Sequence, residues 1–414
     1  MVHIKPINNT SFKINILLLL LLFQTSMASV LSRPEVGIVM GFILLLIHII
    51  KKIRVIKNLI WAIIAWIMVN LIAVLFSGNY DFSLITPRVV RGLFIFILLP
   101  YLSLNIIGFT FWDKLEKIVF YLTVVSLPLF LLNSLFYDNF NAFKSIFHPL
   151  TSHSFLIFES DRPYWSALLY TNASKEGTEY IRNSGFMWEP GAFAMMIIWA
   201  LVYTDITSSC SVKKRIIYIL ALATTFSTAG YLAFFVLLIS NYFKKNTSLL
   251  KVLVVSITLF MFYFYIYDLE FMSKKIEYYA TAYEENKLIY SPTYELIKVN
   301  RLQSLYYILQ DLIKFPLGKG RVLNTDFSSQ PIIYGTNGLG HLLVMWGIPI
   351  FIYMMILVKR YLTIYNFSNT SNHRLIFLMI AMLIMFFSNP IEKNVFIYLI
   401  LFSPLIFRPN NIRN

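Results

Sequence analysis

Long apolar stretches, separated by short charged clusters, run through almost the whole sequence. Twelve of them approach or reach the length that a helix needs to cross a bilayer, about 17 to 25 residues. They cover residues 14–31, 36–50, 58–77, 92–109, 116–136, 190–205, 215–228, 230–243, 249–267, 337–358, 374–388 and 392–407. Apolar residues make up 58% of the chain and charged residues 13%, which is too little polar surface for a water-soluble domain. We therefore expect an all-α polytopic membrane protein.

Charge sets the expected orientation. The chain carries 35 Lys and Arg against 20 Asp and Glu, a net charge of +15. A nucleic-acid-binding protein would gather these charges on one face, but here they lie in short clusters between apolar stretches, so we expect no nucleic acid partner. Twelve spans place most of them in cytoplasmic loops, as the positive-inside tendency requires. Both termini are then cytoplasmic.

Two alternatives affect the span count. Residues 215–243 could form one long helix, which would give eleven spans, but basic clusters flank both ends and favour a hairpin that breaks at 227–230. The N-terminal segment could instead be a cleavable signal peptide, because Lys5 and Lys13 precede an apolar run and the segment 26–29 offers small residues. Removing that span would invert the charge pattern of every later loop.

The spans divide the chain into five regions. A five-helix membrane region covers 1–136, a long extracytoplasmic loop 137–189, a four-helix region 190–267, a second long loop 268–336 and a three-helix region 337–414. Both loops are rich in Tyr and Trp, unlike disordered segments. We expect them to be folded and functional.

The spans themselves argue against ion-coupled transport. Their Asp, Glu, Lys and Arg residues lie only at the ends, whereas coupled transporters carry such residues at depth. His48 and His341 are the titratable residues inside spans, and a lone histidine there is more often a packed helix residue. The single cysteine, Cys210, excludes an internal disulfide. Any chemistry is therefore expected on the outer face.

The densest motif on that face is RNSGFMWEPGAFA, from Arg182. Pro190 follows Glu189 and predicts the first turn of an inward-running helix. The N-terminus of such a helix favours an anion, and Arg182 would add a fixed charge on the same side. Alternatively, Arg182 and Glu189 simply pair as a clamp between loop and helix.

A second outer cluster begins at Arg301. Leucine and isoleucine recur at helical spacing after it, which predicts an amphipathic helix on the membrane surface. The sequence PLGKG at 316–320 then predicts a turn, and Thr336 or Asn337 is a good N-cap for the next span. GKG lacks the spacing of a nucleotide-binding loop.

Three helix N-termini and three arginines, Arg182, Arg301 and Arg321, are thus expected on one side of the membrane. Arginine gives bidentate contacts to phosphate, and rings such as that of Trp188 offer flat faces to sugars. A diphosphate ester that carries a sugar fits such a surface. Tyr and Trp also gather at membrane interfaces for amphipathic reasons alone.

These motifs resemble the O-antigen polymerase and ligase superfamily. The resemblance rests on R-x-x-G-x-x-x-E-P at 182–190, the hairpin at 227–230, Arg301 followed by PLGKG, and G-I-P at 347–349, so it covers the second half of the chain. It implies a GT-C-like, metal-independent glycosyltransferase without cofactors. Its substrates would be undecaprenyl-diphosphate-linked glycans at the periplasmic face of the bacterial inner membrane.

Residue roles follow from the same resemblance. Arg182, Arg301 and Arg321 would hold the diphosphate, and Glu189 would act as the base or orient a sugar hydroxyl. Trp188 and Asn337 complete the expected substrate-binding residues. Glu159 and Asp161 form an E-x-D pair without a third ligand in view, so we expect no metal.

The branch of the family is indicated by one departure. Ligases typically carry a His-Asn pair before the final glycine motif, but Thr336 precedes Asn337 here, and His341 lies about one turn further on. This favours a polymerase, with a ligase and a lipid-linked oligosaccharide flippase as alternatives. The expected partners are the lipid-linked glycans, membrane lipid, a chain-length regulator and a flippase.

Overall fold

The computed structural model describes residues 11–53, 57–77, 82–151, 165–172, 181–242, 289–291, 296–298, 301–320, 332–334, 337–367 and 371–407. Its helices are α1 (Ser11–Ser26), α2 (Pro34–Ile50), α3 (Lys57–Ser77), α4 (Phe82–Gly92), α5 (Leu99–Ile107), α6 (Phe111–Leu135), α7 (Tyr137–Ala142), α8 (Lys144–Phe147), α9 (Pro190–Ile206), α10 (Val212–Thr224), α11 (Thr228–Tyr242), α12 (Arg301–Lys314), α13 (Gly338–Ile364), α14 (Asn372–Ser388) and α15 (Val395–Ile406). A π-helical segment, Leu93–Leu98, joins α4 to α5, and 3-10 turns lie at Val30–Ser32, His148–Leu150 and Ile391–Lys393. The predicted all-α class is confirmed.

Strands occur only in the two expected loop regions, within the described residues. β1 (Trp165–Ser166) and β2 (Thr171–Asn172) form an antiparallel hairpin. β3 (Ile289–Ser291), β4 (Leu296–Lys298) and β5 (Ile332–Tyr334) form a small sheet in the order β3-β4-β5. Both sheets are too small to carry the fold.

Among the described residues, four helical stretches are long and apolar enough to cross a membrane: Asn58–Leu75, Thr86–Ile107, Phe111–Leu135 and Gly338–Ile364. Six further apolar helices are shorter. A helix covers the larger part of each predicted span except 249–267, which lies outside the described residues. Long apolar helices of this kind identify a membrane protein.

The expected break in 215–243 is present between α10 and α11. Ser227 caps α11, because its Oγ accepts a hydrogen bond from Gly230 N at 3.2 Å. Gly230 also permits close packing, since a Cβ atom placed on it would lie 2.9 Å from the Cβ of Ala194 in α9. The start of α11 therefore lies against the first turns of α9.

The long helix α13 breaks at Gly347, which has a φ of 77°. Pro349 has no N–H to donate, and Ile348 N donates to Pro316 O instead of to a carbonyl of its own helix. The carbonyls of Val344 and Met345 accept at this break from the N–H groups of two residues in the PLGKG turn, at 2.8 and 2.9 Å. The two motifs at 316–320 and 347–349 are thus bonded to each other.

Helix α12 packs lengthwise on the first half of α13. Ile308 in α12 packs against Gly340 in α13, and Pro316 O accepts a hydrogen bond from Ile348 N. The second contact lies eight residues after the first in both segments. The two helices therefore run in the same direction. Our expectation of a helix that lies on the membrane surface does not account for this packing.

Candidate functional site

The N-termini of α9, α11 and α13 meet at one end of the helix bundle, which we call the upper end. α11 contacts α9 at Gly230, as described above. Asn389 joins α9 to α13, because its Oδ1 would lie 3.5 Å from a Cβ atom on Gly191 and its carbonyl oxygen lies directly against Gly338. The upper end thus brings together the positive ends of three helix dipoles.

Arg182 lies at the upper end and holds the turn between α10 and α11. Its Nε donates to Thr225 O and its Nη2 to Phe226 O, both at 3.0 Å. The next residue, Asn183, donates its backbone N–H to Thr224 O at 2.9 Å. Two of the five N–H donors of the guanidinium are therefore committed to carbonyls, which fixes its orientation.

Glu189 is the N-cap residue of α9, with an extended backbone at φ −152°. Its carbonyl accepts from Phe193 N, its side chain makes no capping bond, and the residue is half-buried. Its neighbour Trp188 is only 4% exposed and donates its backbone N–H to Ser26 O. Trp188 therefore packs in the core here, and its role in binding a sugar stays a prediction.

Asn337 is the N-cap residue of α13. It is one of the two residues that we expected in this role. Its Oδ1 accepts from Gly340 N at 3.0 Å, and its carbonyl accepts from His341 N. The Asn337 side chain is buried, and its Nδ2 atom has no hydrogen-bond partner within the described residues. The Nε2 atom of His341 is also buried without a hydrogen-bond partner within the described residues.

Arg301 is the first residue of α12 and lies two helical turns before Ile308, which packs on the first turn of α13. This places the backbone of Arg301 near the upper end. Arg321 lies outside the described residues, as do Glu159 and Asp161. The gathering of the three guanidinium groups therefore stays a prediction.

One further cation lies in the turn after α12. Lys319 Nζ is 3.2 Å from Asp311 Oδ2 and 5.6 Å from the ring centroid of Phe315. Burial lowers the pKa of the Lys319 ammonium, although the neighbouring Asp311 carboxylate opposes that change. The pair holds the end of α12 to the turn that docks on α13.

Several buried polar atoms at the upper end have no hydrogen-bond partner within the described residues. Within the described part of the chain these atoms are Ser29 Oγ, Asn133 Oδ1, Tyr137 OH, Ser184 Oγ, Asn337 Nδ2, His341 Nε2 and Asn389 Oδ1. Buried polar groups in folded proteins are nearly always hydrogen-bonded, so each such atom calls for an explanation. A site that binds polar ligands supplies one.

The opposite end of the bundle is closed by ion pairs. Lys214 Nζ lies 2.7 Å from Glu116 Oε2, and Tyr218 donates to the same carboxylate at 2.9 Å. Arg374 pairs with Asp205 at the end of α9. These buried charges partner each other, which suits a structural role and leaves the upper end as the candidate site.

No protein-family model, curated protein or solved structure matches the chain. Within the described residues, no group of three or more His, Cys, Asp or Glu side chains could hold a metal ion. The fold and site together define a helical membrane protein with a polar cluster at one end of its bundle.

Sequence reasoning missed Asn389, which lies between α9 and α13. A signal for it was present, since Ser388, Asn389 and Pro390 are a polar break between two apolar runs. Such a break predicts a helix end. It does not predict that the asparagine would contact two other helices.

Proposed function

We propose that this protein is a polysaccharide polymerase of the bacterial inner membrane. It joins undecaprenyl-diphosphate-linked oligosaccharide repeat units into O-antigen or a similar surface polysaccharide at the periplasmic face. The observation that carries the proposal is the upper end itself, where three helix N-termini meet among buried polar atoms that lack partners. Such an arrangement suits a ligand that is both anionic and rich in hydroxyl groups.

The proposed reaction transfers a growing glycan from its carrier lipid. An acceptor hydroxyl oxygen forms a bond to the anomeric carbon of the donor sugar while the bond from that carbon to the phosphate oxygen breaks. The electron pair leaves with the diphosphate, which Arg182, Arg301 and Arg321 stabilise. Glu189 takes the hydroxyl proton. The step needs no metal or cofactor.

The same proposal sets the topology. Twelve spans in a GT-C-like arrangement put the upper end in the periplasm and both termini in the cytoplasm. The ion-paired lower end then faces the cytoplasm, where Lys and Arg are favoured. In this topology the loops at 137–189 and 268–336 are extracytoplasmic, on the side where a chain-length regulator and the flippase would act.

A ligase is the second candidate, because Nε2 of His341 is buried without a partner in the described chain, one turn into α13. A histidine there could assist an acceptor hydroxyl. A flippase is a third, although flippases need basic residues deep in their spans. The sequence has none there.

Deleting the protein in its host separates these functions. Loss of a polymerase leaves single repeat units attached to the surface acceptor. Loss of a ligase leaves none attached and lets long chains accumulate on the carrier lipid, and loss of a flippase leaves no units outside the cytoplasm. A normal glycan ladder in the deletion strain would refute all three.

A further inference from the structure

A small gap lies beside Gly191, in the first turn of α9. A Cβ atom placed on Gly191 would lie 3.5 Å from Glu189 Oε1 and 3.5 Å from Asn389 Oδ1. The two oxygens are therefore no more than twice that distance apart, with no side chain on Gly191 between them. Gly191 and Glu189 are both half-buried, so solvent reaches this side of the gap.

The orientation of the Asn389 amide is fixed by its own bonds. Its Nδ2 donates to Met385 O at 2.7 Å and to Ser388 Oγ at 3.1 Å. The residue is 0% exposed, and Oδ1 has no partner within the described residues. An acceptor atom is thus held toward the start of α9.

We propose that this gap binds two neighbouring hydroxyl groups of the acceptor sugar, one donating to Glu189 and the other to Asn389. The inference rests on the proposed function and assigns a subsite within it. Two acceptor oxygens suit hydroxyl donors and repel the oxygens of a phosphate, so the diphosphate lies elsewhere, on the arginines.

The hydroxyl that donates to Glu189 is the nucleophile. Its oxygen attacks the anomeric carbon as its proton passes to the Glu189 carboxylate and the diphosphate departs. Asn389 holds the adjacent hydroxyl and so determines which position of the acceptor sugar faces the donor. Asn389 therefore influences linkage specificity because it binds the acceptor sugar in one orientation.

Gly191→Ala tests the gap. The added methyl meets no atom closer than 3.5 Å, and alanine is the better helix former, so the fold should accept it. The methyl nevertheless fills the space between the two oxygens. With lipid-linked single repeat units from the deletion host as substrate, we expect at least tenfold slower chain extension, an unchanged or higher melting temperature, and normal co-purification of lipid-linked glycan.

Asn389→Ala is the second variant, and Asn394→Ala is its matched control. Asn394 is another buried asparagine at the upper end, but both ends of its amide are partnered, through Thr25 O at 3.1 Å and Phe396 N at 2.9 Å. We expect Asn389→Ala to slow extension tenfold or more and Asn394→Ala to keep it.

Extension at the wild-type rate in Gly191→Ala or Asn389→Ala would overturn the hydroxyl site. So would loss of the co-purified lipid-linked glycan in both, because that would assign the gap to the diphosphate. If wild-type membranes do not extend the units at all, the proposed function itself fails. The two failures are therefore distinguishable.

Discussion

Replacing Gly338 with alanine should separate α13 from α14. The added Cβ would overlap the carbonyl oxygen of Asn389 and lie 2.7 Å from Phe386 O. Both obstacles are backbone atoms at the end of α14, so no side-chain rotation relieves them. Overpacking of this kind costs about 1 to 3 kcal/mol, and we expect about 3 kcal/mol here because two helices must move apart.

A thermal-shift assay of the detergent-solubilised protein measures this cost. For a chain of this size, about 3 kcal/mol corresponds to a fall in melting temperature on the order of 3 to 4 °C. Gly191→Ala is the matched control, since it makes the same chemical change in the first turn of another helix at the same junction without a close contact. An unchanged melting temperature in Gly338→Ala would show that α13 and α14 do not meet as described.

Further predictions concern the arginines, the lower end and the topology. Arg182→Ala and Arg301→Ala should each abolish chain extension on glycan gels while the protein still accumulates in the membrane. Arg301→Lys should restore extension only partly, because an ammonium lacks the planar fork of a guanidinium. Full extension in Arg301→Ala would remove that residue from the site. Lys214→Ala leaves a buried glutamate without its cation and should cost about 3 kcal/mol in a thermal-shift assay, whereas its exposed neighbour, Lys213→Ala, should cost almost nothing; equal effects would contradict the buried pair. Cys210 should react with a membrane-impermeant maleimide only after the inner membrane is opened, with Cys210→Ser as the unlabelled control; labelling of intact cells would reverse the orientation.

Much of the fold follows from local signals in the sequence. The break between α10 and α11 was predictable because lysines flank both ends of an apolar run that is interrupted by Ser227 and Gly230. Pro190, which follows Glu189, predicted the start of α9 from an equally local signal. Apolar length, charge position and capping chemistry all act over a few residues, so one sequence is enough to show them.

What could not be predicted depends on contacts between distant residues. The amphipathic pattern after Arg301 is the same whether α12 lies on a membrane or on another helix. Trp188 is an aromatic residue of the kind that can stack on a sugar, but its position among packed helices buries it in the core. Asn389 meets α13 only because Gly338 presents no side chain there, and its Oδ1 lies near Gly191 in the first turn of α9.

The hydrogen bonds between the turn at 316–320 and the break in α13 have a mechanical consequence. Because Lys319 and Gly320 donate to carbonyls of Val344 and Met345, the segment that follows α12 is fastened to a point well inside α13, the longest helix among the described residues. Movement of the polypeptide that leads away from Gly320 must either rupture these bonds or tilt one half of α13 against the other. Binding of the proposed glycan substrate would thereby be felt about a quarter of the way along α13.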